Sequence, residues 1–157
     1  MSVIPSIEEI QAQEKRIRVR DFDFHAAWFI GSQIREKALA DNLPVAIEVY
    51  AFGQTLFLTA LPGSSNEHLE WIARKRNTVL RNARSSMLTG EQYKAQGMAM
   101  ENLPYLDTTR YTDSGGSFPL LTLSGSVFGA VTVSGLASQD DHALAAWAIE
   151  QYLALGK

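Results

Sequence analysis

The chain has no cysteine. That absence removes disulfides, thiolate metal sites and a cysteine nucleophile, and it suits a reducing compartment, so a cytoplasmic location is expected. No apolar run is long enough to cross a bilayer, and the acidic start of the chain, with Glu8 and Glu9, holds no apolar core of a secretion signal. An excess of one charge sign is also missing. The net charge of -3 gives no electrostatic reason to seek nucleic acid or an anionic membrane. His25, His68 and His142 are the only histidines, and none shows the i, i+4 pairing of a helix-borne zinc site, so no metal site is expected. The glycines match neither G-x-G-x-x-G nor a Walker loop, and Ser124-Gly125-Ser126 and Ser134-Gly135 do not form a G-x-S-x-G nucleophile elbow.

What is there reads as a globular chain. Its 157 residues are 46% hydrophobic and 20% charged, enough to bury a core without covalent staples. With no internal repeat and no linker, residues 1–157 are expected to form one domain, with an N-terminal helix and short strand in 1–20 and the core in 21–157. Ser6 and Glu9 make a capping box for a helix ending near Arg16. Ile17 and Val19 alternate with Arg18 and Arg20, the pattern of a short strand. Asp21 or Asp23 then caps a second helix to about Ala40, with Phe24, Ala27, Trp28, Gly31, Ile34 and Ala38 on its apolar stripe. Glycine in mid-helix costs about 1 kcal/mol against alanine, so Gly31 implies close approach to a sheet or to a partner helix.

Val45–Ala51 and Thr55–Ala60 form a hairpin about Gly53-Gln54. A long helix from about Glu67 to Ser85 follows, then a further helix over Thr89–Met100 and irregular chain to Gly116. Leu120 to Leu136 makes a second hairpin about Gly125, and Ser138 caps the last helix. Hairpins impose antiparallel pairing, so the pattern predicts an α+β fold, an antiparallel sheet with helices on its faces.

The middle helix is apolar along Leu69, Ile72, Ala73, Val79, Leu80 and Ala83, with Arg76 inside that stripe. A cation among apolar neighbours must meet an anion, either Glu48 or a ligand. Arg74, Lys75, Arg81 and Arg84 otherwise read as a solvated basic face. Trp71, Lys75, Thr78, Asn82 and Ser85 fall on another side, where an indole beside Thr and Asn suggests an interface. The final helix spreads Leu144, Trp147, Ile149, Tyr152 and Leu155 over more than one stripe. Both helices are expected to touch their own sheet and a second copy of the chain. Gly115-Gly116-Ser117 offers irregular backbone whose N–H groups suit an anionic ligand. His142 follows Asp140-Asp141 in a first helical turn, as an imidazole held by a carboxylate or a ligand group.

Trp71-Ile72 with Arg74-Lys75, Arg81 and Ser85-Ser86 lies between Pro44-Val45-Ala46-Ile47, Leu61-Pro62-Gly63 and the later Gly115-Gly116-Ser117-Phe118-Pro119. Val131-Thr132-Val133-Ser134-Gly135-Leu136 and Asp141-His142 complete the series. In this order, from about Asp23 onward, the chain resembles the haem-degrading-domain family, which includes GlcG-like proteins and the C-terminal domain of PduO-type cobalamin adenosyltransferases. The resemblance is to a branch largely without established activity. It implies about five antiparallel strands flanked by helices in profilin-like α-β-α layers, homo-oligomers built from dimers, and haem or a related tetrapyrrole as the ligand class. Relatives often carry a histidine before the Ser-Ser pair. Here that position is Arg84, which suits a propionate or phosphate and, staying protonated, is a poor iron ligand.

The leading expectation is an oligomeric small-ligand-binding protein with its pocket at or near subunit contacts. Its polar and aromatic lining is assigned to Arg76, Arg84, Ser85, Ser86, Gly115, Gly116, Phe118 and His142. A ligand-free scaffold and an enzyme acting on a small carboxylate metabolite stand as alternatives, and no catalytic residue is assigned.

Overall fold

Two hairpins, each a pair of strands about a short turn, build the sheet. The computed structural model describes residues 2–157. Strands β1 (Ala46–Ala51), β2 (Gln54–Ala60), β3 (Ser117–Leu121) and β4 (Val127–Ser134) pair antiparallel throughout, in the order β2-β1-β4-β3. Five helices surround them: α1 (Ile7–Arg16), α2 (Phe24–Ala40), α3 (Asn66–Asn82), α4 (Ser86–Ala95) and α5 (Ser138–Leu153). Among the described residues, no helix is long and apolar enough to cross a membrane.

Alternation gives the sheet two unlike faces. Ile47, Val49, Phe57, Phe118, Leu120, Val131 and Val133 pack against Ala27, Ile30 and Ile34 of α2 and Ala145, Ala148 and Ile149 of α5 as one apolar core. The other face carries the buried polar residues Glu48, Ser117, Thr132 and Ser134, and α3 crosses it. This is the expected α-β-α layering. Gly31 is explained by the sheet, since a Cβ there would run into the Phe57 ring.

The expectation of about five strands is corrected to four. Ile17 and Val19 are buried as their alternation requires, but the segment makes a single ladder bond, Val19 N–H to Leu121 O at 2.8 Å. Positions 117, 119 and 121 of β3 face away from β4. Pro119 has no N–H to offer there, and the Ser117 N–H is taken by Ser86 Oγ at 3.1 Å. The ladder along that border stops at the single Val19 bond.

Helix ends also differ from expectation. Asp23 caps α2, its Oδ1 accepting the Ala26 N–H at 2.8 Å. The long middle helix stops early, at Ala83 in the left-handed region (φ 55), and Ser85 opens α4 by accepting the Leu88 N–H at 3.0 Å. The helix expected over Thr89–Met100 therefore runs over Ser86–Ala95. At the last helix Ala137 occupies the capping position, Ser138 is the first helical residue, and no side chain caps the end.

Candidate functional site

Because the sheet face beneath α3 is polar, the side of α3 that meets it is polar too. Ile72, Lys75, Thr78 and Val79 are its buried residues. The Lys75 stem runs between helix and sheet, and its Nζ donates to Val133 O and to Asp141 Oδ2, both at 3.1 Å. Asp141, in the first turn of α5, also accepts the Leu136 N–H at 3.0 Å and the Gly135 N–H at 3.3 Å. The two side chains are only 5% and 1% exposed. Desolvation dominates both titrations. It draws Lys75 down from the ordinary lysine value and pushes Asp141 up to about 6, with their mutual attraction opposing each shift. Gly116 makes the approach possible. It has φ 138, and a Cβ there would lie 2.5 Å from Val133 O and 2.7 Å from Lys75 Nζ.

The pair forms the floor of a pocket of about 280 Å³. Its walls bring Glu67, His68 and Trp71 of α3, Ser114, Ser134 at the end of β4, and Ser138 at the start of α5. His68 Nδ1 accepts the Ser65 N–H at 3.0 Å, so the neutral ring carries its proton on Nε2 and is a donor there. Trp71 is half-buried with the Arg74 guanidinium 4.5 Å above its ring. Trp71 thus stands beside the pocket with a cation covering its ring.

The residues assigned from sequence do not converge on this pocket. Gly116 abuts the Lys75–Asp141 pair, and Gly115 packs against Ser138 and Met87 beside it. Arg76 turns to the flank of α3, where Nε and Nη2 meet the Glu48 carboxylate at 2.9 and 3.3 Å, and its guanidinium lies 4.4 Å over the Tyr50 ring. The anion expected for Arg76 is thus Glu48. Arg84 Nε reaches Thr89 Oγ1 at 3.3 Å, Ser85 is bound by Glu14, and Ser86 holds β3. Phe118 and His142 stack obliquely in the core, ring centroids 5.4 Å apart.

Sequence reasoning passed over Lys75, His68 and Trp71 as pocket residues because it took the most apolar stripe of α3 as the inward one, and Asp141 because acids in the first turn of α5 already answer the helix dipole. The available signal was a lysine three residues after Ile72 and four before Val79, on the same side of the helix.

A second cavity, of about 530 Å³, lies between α1 and α5. Val3, Pro5, Ala12 and Ala143 supply its apolar wall, Arg16 is at its edge, and Gln13 and His142 border it. His142 Nε2 is 2.7 Å from Gln13 Oε1, while Nδ1 is buried without a partner. Burial lowers this imidazole to about 4, so it is neutral at pH 7.

The family description "Haem degrading protein HbpS-like" matches residues 22–150. The chain belongs to the HbpS-like family. A UPF0303 protein of Streptomyces coelicolor is 42% identical over 149 residues, covering 95% of this chain and 94% of its own. Among solved structures, the Ybr137w protein is 28% identical with a TM-score of 0.87, over 98% of this chain and 91% of its own. The complex of PduOC with haem is 22% identical with a TM-score of 0.68, over 84% of this chain and 94% of its own, and shares the fold with this HbpS-like chain.

Proposed function

We propose that this HbpS-like chain is a small-ligand-binding protein, working as an assembly of identical copies, whose ligand seats over Lys75 and Asp141. One observation carries the reading: a buried, desolvated ion pair forms the floor of an open pocket. Apolar residues of similar volume often hold a fold as well as a buried pair does, and perturbed titratable groups gather at functional clefts. The donors around the pair suit a small anion seated on the side of the pocket away from the Glu67 carboxylate, which also lines it. They are the Lys75 ammonium, His68 Nε2–H, the hydroxyls of Ser134 and Ser138, and the uncapped first turn of α5. At about 280 Å³ the pocket falls just below the range that encloses drug-sized ligands, which favours a compact metabolite over a macrocycle at this position. Calorimetric titration with acetate, lactate, pyruvate and inorganic phosphate tests this. Saturable binding of at least one, lost in Lys75→Met, which removes the cationic donor, is expected, and no heat at millimolar ligand with any of them overturns it.

Haem binding has separate support, from the family and from the second cavity. Iron ligation needs a neutral imidazole with a free lone pair. With Gln13 Oε1 accepting from Nε2–H, His142 keeps that lone pair on Nδ1, a buried atom of a residue that borders a cavity of about 530 Å³, so iron reaches it only if the ring turns toward the cavity. His142 and Arg16 are the residues that would hold the iron and a propionate, and the group would bring a redox-active iron. A Soret shift on haem titration, weakened in both His142→Ala and Arg16→Ala, is the expected result; spectra identical to free haem overturn this reading.

Assembly finds its support away from α3. Phe24, Trp28, Phe52 and Leu58 are 59%, 67%, 55% and 52% exposed, and Trp28 meets Phe57 of the border strand β2 edge to face, 5.4 Å between centroids. Aromatic area of this kind beside an open strand border marks an interface.

A further inference from the structure

Resting on the ligand reading of the Lys75–Asp141 pocket, we infer that Lys75 is an imine-forming lysine and that its ligand is a small carbonyl compound carrying a carboxylate, a 2-oxo acid in the simplest case. Among the described residues, Lys75 is the only lysine held this way. Lys37 and Lys94 reach only exposed or partly exposed carboxylates, whereas Lys75 Nζ is closed in by Val133 O, Asp141 Oδ2 and the Gly116 backbone at the floor of a pocket. A lysine nucleophile has to be neutral when it attacks, and desolvation is how proteins achieve that. The same desolvation acts on Asp141 in the opposite sense, so both groups move toward the proton-transferred pair, neutral amine beside neutral acid. The donor and acceptor atoms lie 3.1 Å apart, within direct proton-transfer reach.

The chemistry closes with these two groups alone. Asp141 takes a proton from the Lys75 ammonium, and the freed Nζ lone pair forms a bond to the carbonyl carbon as the C=O π pair moves to oxygen. That oxygen takes the proton from Asp141. The carboxylate so restored removes a proton from the now cationic nitrogen, leaving a neutral carbinolamine. Asp141 finally gives this proton to the hydroxyl, which departs as water while the nitrogen lone pair closes the C=N bond. Ammonium and carbonyl have become a protonated imine and water, and Asp141 ends ionised as it began. Attack uses up the lysine as an anion partner, so the ligand carboxylate falls to the remaining donors, His68 Nε2–H, the Ser138 hydroxyl and the start of α5.

Reductive trapping decides the matter. The full chain is incubated with pyruvate and cyanoborohydride, and the adduct is mapped by peptide mass spectrometry. Labelling of Lys75 at least tenfold ahead of Lys15, Lys37, Lys94 and Lys157 is expected, with none at position 75 in Lys75→Arg, which keeps a cation beside Asp141. Acetone, a methyl ketone like pyruvate but lacking the carboxylate, should label Lys75 at least tenfold more slowly; equal rates overturn the carboxylate assignment. If pyruvate binds by calorimetry but labels no lysine, or labels the surface lysines equally, the imine is overturned and the ligand pocket stands. If no small anion binds at all, the pocket reading itself falls. Wild-type mapping answers the question even where the variant fails to fold.

Discussion

Glu14 grips Ser85 with both carboxylate oxygens, Oε1 accepting the backbone N–H at 2.9 Å and Oε2 the hydroxyl at 2.8 Å. The contact ties α1 to the corner where α3 ends and α4 begins, 71 residues along the chain. Glu14 is 6% exposed, and burial raises its titration against the pull of the two Ser85 bonds. Removing the carboxylate strands a buried N–H, which costs about 3 kcal/mol at the upper end for a charge-assisted contact. Glu14→Ala should lower stability by that amount in urea titrations, and Glu14→Gln, which can still accept one bond, by about half as much.

His142 gives acid sensitivity. Its folded value of about 4 lies below the ordinary 6.5, so the unfolded chain binds a proton from about pH 6.5 downward while the folded chain refuses it until about 4. Its contribution is therefore whole above pH 6.5 and lost as pH falls to about 4, amounting to about 3 kcal/mol at 1.36 kcal/mol per unit. Asp141, raised to about 6, acts in reverse and favours the folded chain as pH drops below 6. The two partly cancel in the native protein. Replacing His142 with Gln should expose the Asp141 effect, so that the variant gains on the native chain by about 3 kcal/mol between pH 7 and pH 4. Parallel stability curves would contradict this.

Arg76 and Glu48 form a forked pair whose acid is the more deeply buried partner, 4% against 19% exposed. Arg76→Met leaves the carboxylate with the Thr55 hydroxyl at 2.9 Å as its remaining side-chain partner. A loss of about 3 kcal/mol is expected. Adding Glu48→Gln should recover part of it, and Arg76→Lys should not substitute fully, because an ammonium lacks the fork. A double-mutant cycle measures the coupling.

Trp28 tests assembly. The native chain is expected to sediment well above 17.3 kDa, and Trp28→Lys to shift it toward that mass with unchanged circular dichroism. A native chain at 17.3 kDa, or a variant that sediments like the native chain, contradicts the proposed interface.

Local signals carried much of the architecture into view from the residues alone. The Ser6 cap, the Asp23 cap, both hairpins and the contact demanded by Gly31 follow from side-chain chemistry within a few residues. The fifth strand failed because alternation at Ile17 and Val19 reports burial, whereas pairing depends on Pro119, a hundred residues away. The Arg76–Glu48 pair was legible because a lone cation in an apolar stripe demands an anion. Lys75 and Asp141 were not, since apolar patterning identifies the inward face of a helix only when the surface it meets is apolar, and here that surface bears Glu48, Ser117 and Thr132.

Pro119 has a consequence for growth in solution. It leaves the far border poor in donors, since one outward position is proline, the Ser117 N–H is held by Ser86 and the Leu121 O already takes the Val19 N–H. Two copies joining through β2 would each spend the better adhesive rim they own. Such a union favours a closed pair over the runaway stacking that makes fibres from sheets with two open rims.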